Sequence, residues 1–196
     1  IFGQVNLLVN SQFKEAGYLK AIGVKKGDYV TLCMPNIPEF VYSFYALNKL
    51  GAIASLIEPR TNADRIKQYV KNANSKYMIM VDLCKTNIDK MIKDSGLKYV
   101  ISVSPANSIK NKNKKKVYNL SHKKVKTNDK YIDWADFLEM GKSFPILPDN
   151  EYEPNSVAVV VHTSGTTGIP KGALLSNETY NGQNMQLKYS GIAPVC

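Results

Sequence analysis

The chain has 196 residues, 44% apolar and 21% charged, with 12 Gly and 9 Pro, a composition that excludes disordered, collagenous and disulfide-stapled classes. At this length about 70% of the unfolded surface can be buried, so folding requires neither metals nor cross-links. Cys33, Cys84 and Cys196 form no CxxC or Cys/His spacing, which argues against a zinc site and a disulfide framework and makes a reducing cytoplasm the expected location. The net charge is +10, but 24 of the 26 basic residues are Lys and only Arg60 and Arg65 can offer a guanidinium fork, so nucleic-acid recognition is not expected. No run reaches the roughly 20 apolar residues of a membrane span. The first residue is Ile, and Leu7 and Leu8 have the spacing of a helix interior, so the chain is expected to begin inside a gene product.

Apolar residues from Phe2 to Ala21 fall at helical spacing, with Gly23 as a stop. Tyr29 to Met34 is a short run of strand formers broken by Pro35 and Asn36. Pro38 and Glu39 suit a first helical turn, and Phe40, Val41, Phe44 and Leu47 give that helix an apolar face until Gly51. Ala52 to Ile57 is a second strand, and Thr61 or Asn62 can cap a helix carrying Ile66, Tyr69 and Val70. Lys76 to Val81 and Lys98 to Val103 are further strands, separated by a candidate helix from Ile88 to Ser95. Strands alternating with helices of about a dozen residues imply an α/β fold with a mostly parallel, helix-covered sheet.

Pro105 to Lys130 breaks the rhythm with Lys and Asn and reads as a loop or weak hairpin. Its lysines could form a nucleic-acid or anionic-membrane patch, but without interleaved arginines or stacking aromatics a solvated surface loop is the expectation. Trp134, Phe137 and Leu138 suggest a short helix, and Pro145 to Pro154 a connector. Ser156 to Val161 is a β-branched run that should be a central strand buried on both faces.

The ten residues that follow, Thr163 to Gly172, contain three glycines, four hydroxyls and one lysine. Glycines let backbone amides close on an anion, hydroxyls add donors, and a lysine adds a compact charge, so the stretch reads as a phosphate cradle. A Walker A loop is excluded: Pro170 precedes Lys171 and removes an amide donor, and Gly172 follows it where a magnesium-binding hydroxyl would stand.

The segment Val161 to Gly172 resembles the signature loop of the adenylate-forming superfamily, which includes acyl- and aryl-CoA synthetases, firefly-type luciferases and the adenylation domains of nonribosomal peptide synthetases. Leu19 to Val30, continuing to Pro35-Asn36-Ile37-Pro38-Glu39, is similar to the family's opening unit, and Ala46 to Ala52 to its second core motif. The resemblance makes residues 1–196 the N-terminal part of an AMP-binding domain, with the phosphate loop at 163–172. It implies that Thr163, Ser164, Gly165, Thr166, Thr167 and Gly168 wrap the β- and γ-phosphates of ATP, and that Lys171 is catalytic, neutralising pyrophosphate as it leaves. Activation of a carboxylic acid as acyl-AMP, capture on a thiol, and ATP, Mg2+ and CoA as cofactors follow from it. Two alternatives differ in acceptor or activity: a peptide-synthetase adenylation domain delivering to a carrier-protein thiol, and a non-catalytic nucleotide-binding module.

His162 stands where the family commonly has Tyr or Phe and is expected to be a hydrogen-bonded core residue. Asn177 stands where many relatives have His and is expected to cap a helix starting near Glu178. The family's adenine and ribose motifs, its acidic magnesium residue, its hinge and the adenylation-driving lysine of its C-terminal domain would lie beyond Cys196. The chain alone is therefore expected not to adenylate, and turnover in a pyrophosphate-exchange assay would overturn that expectation.

Overall fold

A computed structural model describes residues 15–82, 94–121, 130–141, 153–163 and 171–182. Among them seven strands form one sheet in the order β5-β4-β3-β1-β2-β6-β7. These are β1 (Tyr29–Cys33), β2 (Ile53–Leu56), β3 (Tyr77–Val81), β4 (Tyr99–Val103), β5 (Tyr131–Asp133), β6 (Val157–Thr163) and β7 (Lys171–Ser176). Every neighbouring pair is parallel except β6 and β7, which are antiparallel. The mixed α/β fold with a mostly parallel sheet is thus the one the sequence pattern predicts. All five residues of β3 are buried, so helices or loops cover both faces there.

The helices are α1 over 15–21, α2 (Pro38–Leu50), α3 (Ala63–Asn72), α4 (Lys112–Ser121), α5 (Trp134–Met140) and α6 over 177–182. Pro38 opens α2 at its first turn, and Gly51, at φ +67°, ends it with its amide on the carbonyls of Asn48 and Leu47. Asn62 is the cap of α3, its side chain accepting from the Arg65 amide at 2.9 Å. The candidate helix of Ile88 to Ser95 and most of the Pro145 to Pro154 connector fall outside the described residues.

The structure differs from the sequence expectation after β4. Lys112–Ser121 is a helix, where a loop or hairpin was expected. The Asn111 side chain accepts from the amides of Asn113 and Lys114 at 3.0 and 3.1 Å, which caps the first turn. Lysine is a good helix former, but the apolar residues Val117 and Leu120 face solvent, so no core-facing stripe announces the helix. Strand β5 is only three residues long, and Asp133 at its end caps α5 by accepting from the Ala135 amide at 2.9 Å.

Several buried polar residues are held in pairs. Thr31 Oγ1 donates to Ser75 Oγ at 2.9 Å beneath the sheet. Ser43 Oγ donates to Glu15 Oε1 at 2.6 Å, tying α2 to α1, and Ser108 Oγ donates to Glu39 Oε1 at 2.5 Å, tying the turn after β4 to the start of α2. Burial pushes the Glu15 carboxyl well above the ordinary carboxylate range, opposed by the Ser43 hydrogen bond and helped by the nearby Glu39 charge.

At the far edge of the sheet, α5 ends against α1. The rings of Tyr18 and Phe137 meet edge to face with centroids 5.5 Å apart. The backbone of Gly141 lies directly on the Tyr18 ring, and a Cβ there would fall 0.9 Å from Tyr18 Cδ1. Gly141→Ala is therefore expected to destabilise the fold by about 1–3 kcal/mol, as overpacking does elsewhere. Urea unfolding checks it, and an unchanged midpoint would show that α5 is not seated on Tyr18.

Candidate functional site

In an open parallel sheet, ligands bind beyond the carboxyl ends of the strands, where connections from adjacent strands leave in opposite directions. Such a divergence occurs between β2 and β6. The connection from β2 runs through α3 to β3 on the far side of β1, whereas β6 turns outward into β7.

Strand β6 is not the central, doubly buried strand expected from its β-branched run. It is the sixth of seven, and its pairing with β2 stops at Leu56 opposite Val161. His162 and Thr163 run past the end of β2 and pair only with β7, so the inner half, Ala158 to Val160, is buried while Val161 is 37% exposed. This overrun carries the chain out of the core just before the candidate phosphate loop.

His162 anchors the overrun. Its Nε2 lies 2.8 Å from Ser55 Oγ, and its ring stacks on Tyr69 of α3 with centroids 4.3 Å apart and planes 22° apart. The Ser55 side chain is fully buried in β2, so the hydrogen bond satisfies a hydroxyl that would otherwise be stranded. The expectation of a hydrogen-bonded histidine in the packed interior holds, though the ring is only half-buried and lies at the mouth of the sheet. Burial lowers its pKa below the ordinary value of 6.5, so the imidazole is neutral near pH 7.

Opposite His162 in the antiparallel pair stands Gly172. A Cβ there would approach Val160 Cγ1 to 2.9 Å and come within 3.9 Å of the imidazole. Sequence reading counts Gly172 among the cradle glycines and as a missing magnesium hydroxyl; the structure adds that its bareness lets β7 close on β6.

Of the sequence-predicted site residues, Thr163 and Lys171 are brought face to face as the last residue of β6 and the first of β7. Thr163 Oγ1 donates to the Lys171 carbonyl at 3.4 Å, and both residues are exposed. Ser164, Gly165, Thr166, Thr167 and Gly168 lie outside the described residues. The two ends of the loop are thus pinned side by side, with a lysine and a hydroxyl at its base, a donor set that suits phosphate oxygens. Among the described residues no group of three His, Cys, Asp or Glu side chains converges, so none of them offers a magnesium ligand set.

Asn177 does not cap α6. Ser176 does, its Oγ accepting from the Thr179 amide at 3.2 Å. Asn177 Nδ2 instead donates to Ser156 Oγ at 2.9 Å and to the Glu153 carbonyl at 3.0 Å, and its Oδ1 accepts from Asn48 Nδ2 at 2.7 Å. One amide thereby fastens the end of β7 to the start of β6 and to the last turn of α2. Sequence reading missed Ser55, Tyr69 and Asn48, whose roles depend on contacts across 90 to 130 positions of chain, with no local signal.

Comparison with known proteins shows the family. Residues 13–193 match the AMP-binding enzyme family. The chain belongs to that family. As an AMP-binding enzyme it is similar to acetyl-coenzyme A synthetase 2 of Saccharomyces cerevisiae, 33% identical over 84% of this chain and 23% of the relative. It is also similar to 4-coumarate–CoA ligase of Vanilla planifolia, 27% identical over 82% of this chain and 26% of the relative. Among solved structures, a long-chain-fatty-acid–CoA ligase from Archaeoglobus fulgidus shares the fold with a TM-score of 0.72, covering 95% of this chain and 32% of its own at 21% identity. The chain spans about a quarter of the length of the curated relatives it matches.

The His162 contacts of this chain have a measurable consequence. Because burial depresses its folded pKa, the unfolded chain takes up a proton first on acidification, and stability falls as pH drops through about 6.5 toward the folded value. His162→Phe keeps a ring on Tyr69 and is expected to remove that part of the pH slope. It also strands the Ser55 hydroxyl at a cost of about 1–3 kcal/mol, which Ser55→Ala in the double variant should restore. Urea unfolding of the parent and the two variants near pH 7.5 and near pH 5.5 measures both effects; a double variant no better than His162→Phe would mean the stranded Ser55 hydroxyl costs nothing.

Proposed function

We propose that this chain is the phosphate-gripping N-terminal part of an AMP-forming carboxylate–CoA ligase. The observation that carries the reading is the pinning of Thr163 beside Lys171 at the β2/β6 divergence, with the Gly/Thr-rich stretch between them. The relatives support it: they are named as CoA ligases and synthetases for acids as different as acetate and 4-coumarate.

In the proposed reaction a carboxylate oxygen attacks the α-phosphorus of ATP, the bond from that phosphorus to the bridging oxygen breaks, and pyrophosphate departs with the electron pair. A thiolate, that of CoA, then attacks the acyl carbon and AMP leaves. Residues of this chain act on the first step. The amides and hydroxyls of Thr163 to Gly168 hold the β- and γ-phosphates, fixing the α-phosphorus in line with the carboxylate. The Lys171 ammonium lies where negative charge accumulates on the leaving pyrophosphate, so its attraction grows toward the transition state. Magnesium supplies further charge neutralisation when bound, and no described residue of this chain is assigned to it. The His162 ring, braced by Ser55 and Tyr69, keeps the β6 exit fixed.

Lys171→Ala in the full-length enzyme is expected to lower the rate of ATP–pyrophosphate exchange by about 10²-fold or more, in the range of removing one preorganised charge donor, with a smaller change in the KM for ATP. The side chain is exposed at a strand end, so folding should be intact by circular dichroism. An unchanged exchange rate would sink the assignment of this loop.

A further inference from the structure

Residues 95–128 contain nine lysines and not one Asp or Glu. The remaining 162 residues hold 17 basic and 16 acidic side chains, so nine of the ten net positive charges of the chain fall in this stretch. A composition bias toward lysine would spread the excess along the sequence. Instead it is concentrated in one segment, and five of its lysines, Lys110, Lys112, Lys114, Lys115 and Lys116, lie on or beside α4.

The orientation of α4 is fixed by its contacts. Lys115 and Tyr118 are the half-buried positions, and the Tyr118 hydroxyl donates to Asp82 Oδ1 at 2.8 Å beyond the end of β3. At 3.6 residues per turn, Val117 and Leu120 then project away from the body, 65% and 78% exposed. Asn113 falls on the same stripe, flanked by Lys114 on one side and by Lys112 and Lys116 on the other, all exposed. Ile109 and Val117 line an open groove along this face with Asn113, Lys114 and Tyr118.

A single exposed leucine signifies little. Two aliphatic side chains adjacent on one helix face, rimmed by cations with no anion in the segment, form an interfacial pattern: an apolar wedge with a charged skirt. Nucleic acid fits less well. Residues 95–128 contain no arginine for bidentate contacts, and the ring of Tyr99 is stacked on Tyr77 while the Tyr118 hydroxyl is engaged by Asp82. Charge complementarity with an aliphatic centre points to the anionic surface of a lipid bilayer, where each lysine is attracted to the headgroups and Val117 and Leu120 meet the first methylenes. We propose that α4 docks this protein reversibly on anionic membranes through Val117 and Leu120 flanked by Lys112, Lys114 and Lys116.

The full-length protein tests this by cosedimentation with vesicles of phosphatidylcholine containing about one-third phosphatidylserine, beside vesicles of phosphatidylcholine alone. Binding to the anionic vesicles is expected to be at least about tenfold stronger and to fall steeply with salt. Combined Lys112→Glu, Lys114→Glu and Lys116→Glu should lower it by about tenfold or more. Combined Val117→Ser and Leu120→Ser should lower it severalfold at unchanged charge, with melting temperature and lipid-free adenylation preserved because both side chains are exposed. Equal binding to neutral vesicles, or a serine variant that binds like the parent, would overturn the proposal. So would a single-stranded oligonucleotide of about 20 residues that binds more tightly than the anionic vesicles and is indifferent to the serine changes, since that makes the face a polyanion site.

Discussion

The parallel pairing of β2 with β6 is the constraint on which the site depends. Ala54, Ser55 and Leu56 meet Val159, Val160 and Val161 across roughly a hundred intervening residues. Closing so long a connection costs conformational entropy, and the return comes from a run of valines buried against the sheet together with the Ser55–His162 hydrogen bond. A slip of one residue would turn Val160 and His162 to the other face, leaving Ser55 without its partner and Tyr69 without its stack. The pairing therefore fixes the direction in which the chain leaves β6 as well as its position.

The hairpin that follows is held from outside. Gly172 admits β7 close to Val160, and Asn177 ties its far end to Ser156 and Asn48. The exposed ion pair of Lys26 and Glu153 adds little beside these contacts. The two strand ends that flank the loop are thus rigidly referenced to β2 and α2, while the loop itself is rich in glycine and carries no bulky side chain before Ile169. The flanking strand ends are therefore fixed points from which the proposed phosphate grip would act.

Much of this architecture was legible in the sequence because local chemistry announced it. Pro38 and Gly51 bracket α2, Asn62 caps α3, and the strands up to β4 are short apolar runs bounded by turn residues. The signature stretch was legible for the same reason, being ten contiguous positions. What failed lay in tertiary context. The valine run of β6 specifies burial of its first half but cannot reveal that β2 ends early and leaves His162 and Thr163 overhanging. Asn177 has the right residue type for a cap, yet Ser176 one position earlier takes the amide, and Asn177 is recruited by groups from Asn48 and Ser156. Helix α4 was hidden because amphipathic periodicity detects a face turned to the core, and its apolar positions face outward.

The parallel sheet has an electrostatic consequence that no single element shows. Strands β1 to β6 run in one direction, so their carboxyl ends share one edge, and the chain leaving β4 toward α4 exits on the same edge as the loop leaving β6. Tyr118 reaching Asp82 past the end of β3, and Ser108 reaching Glu39 past the end of β1, keep α4 and the turn before it over that edge. The lysines of α4 and Lys171 therefore lie on either side of β1 at one end of the molecule, and both contribute positive potential there. The carboxylates of Glu39, Glu58, Asp82 and Asp133 stand at or just past the ends of β1, β2, β3 and β5, so the potential at this end is a balance of the two signs, fading beyond the Debye length of about 8 Å at physiological salt.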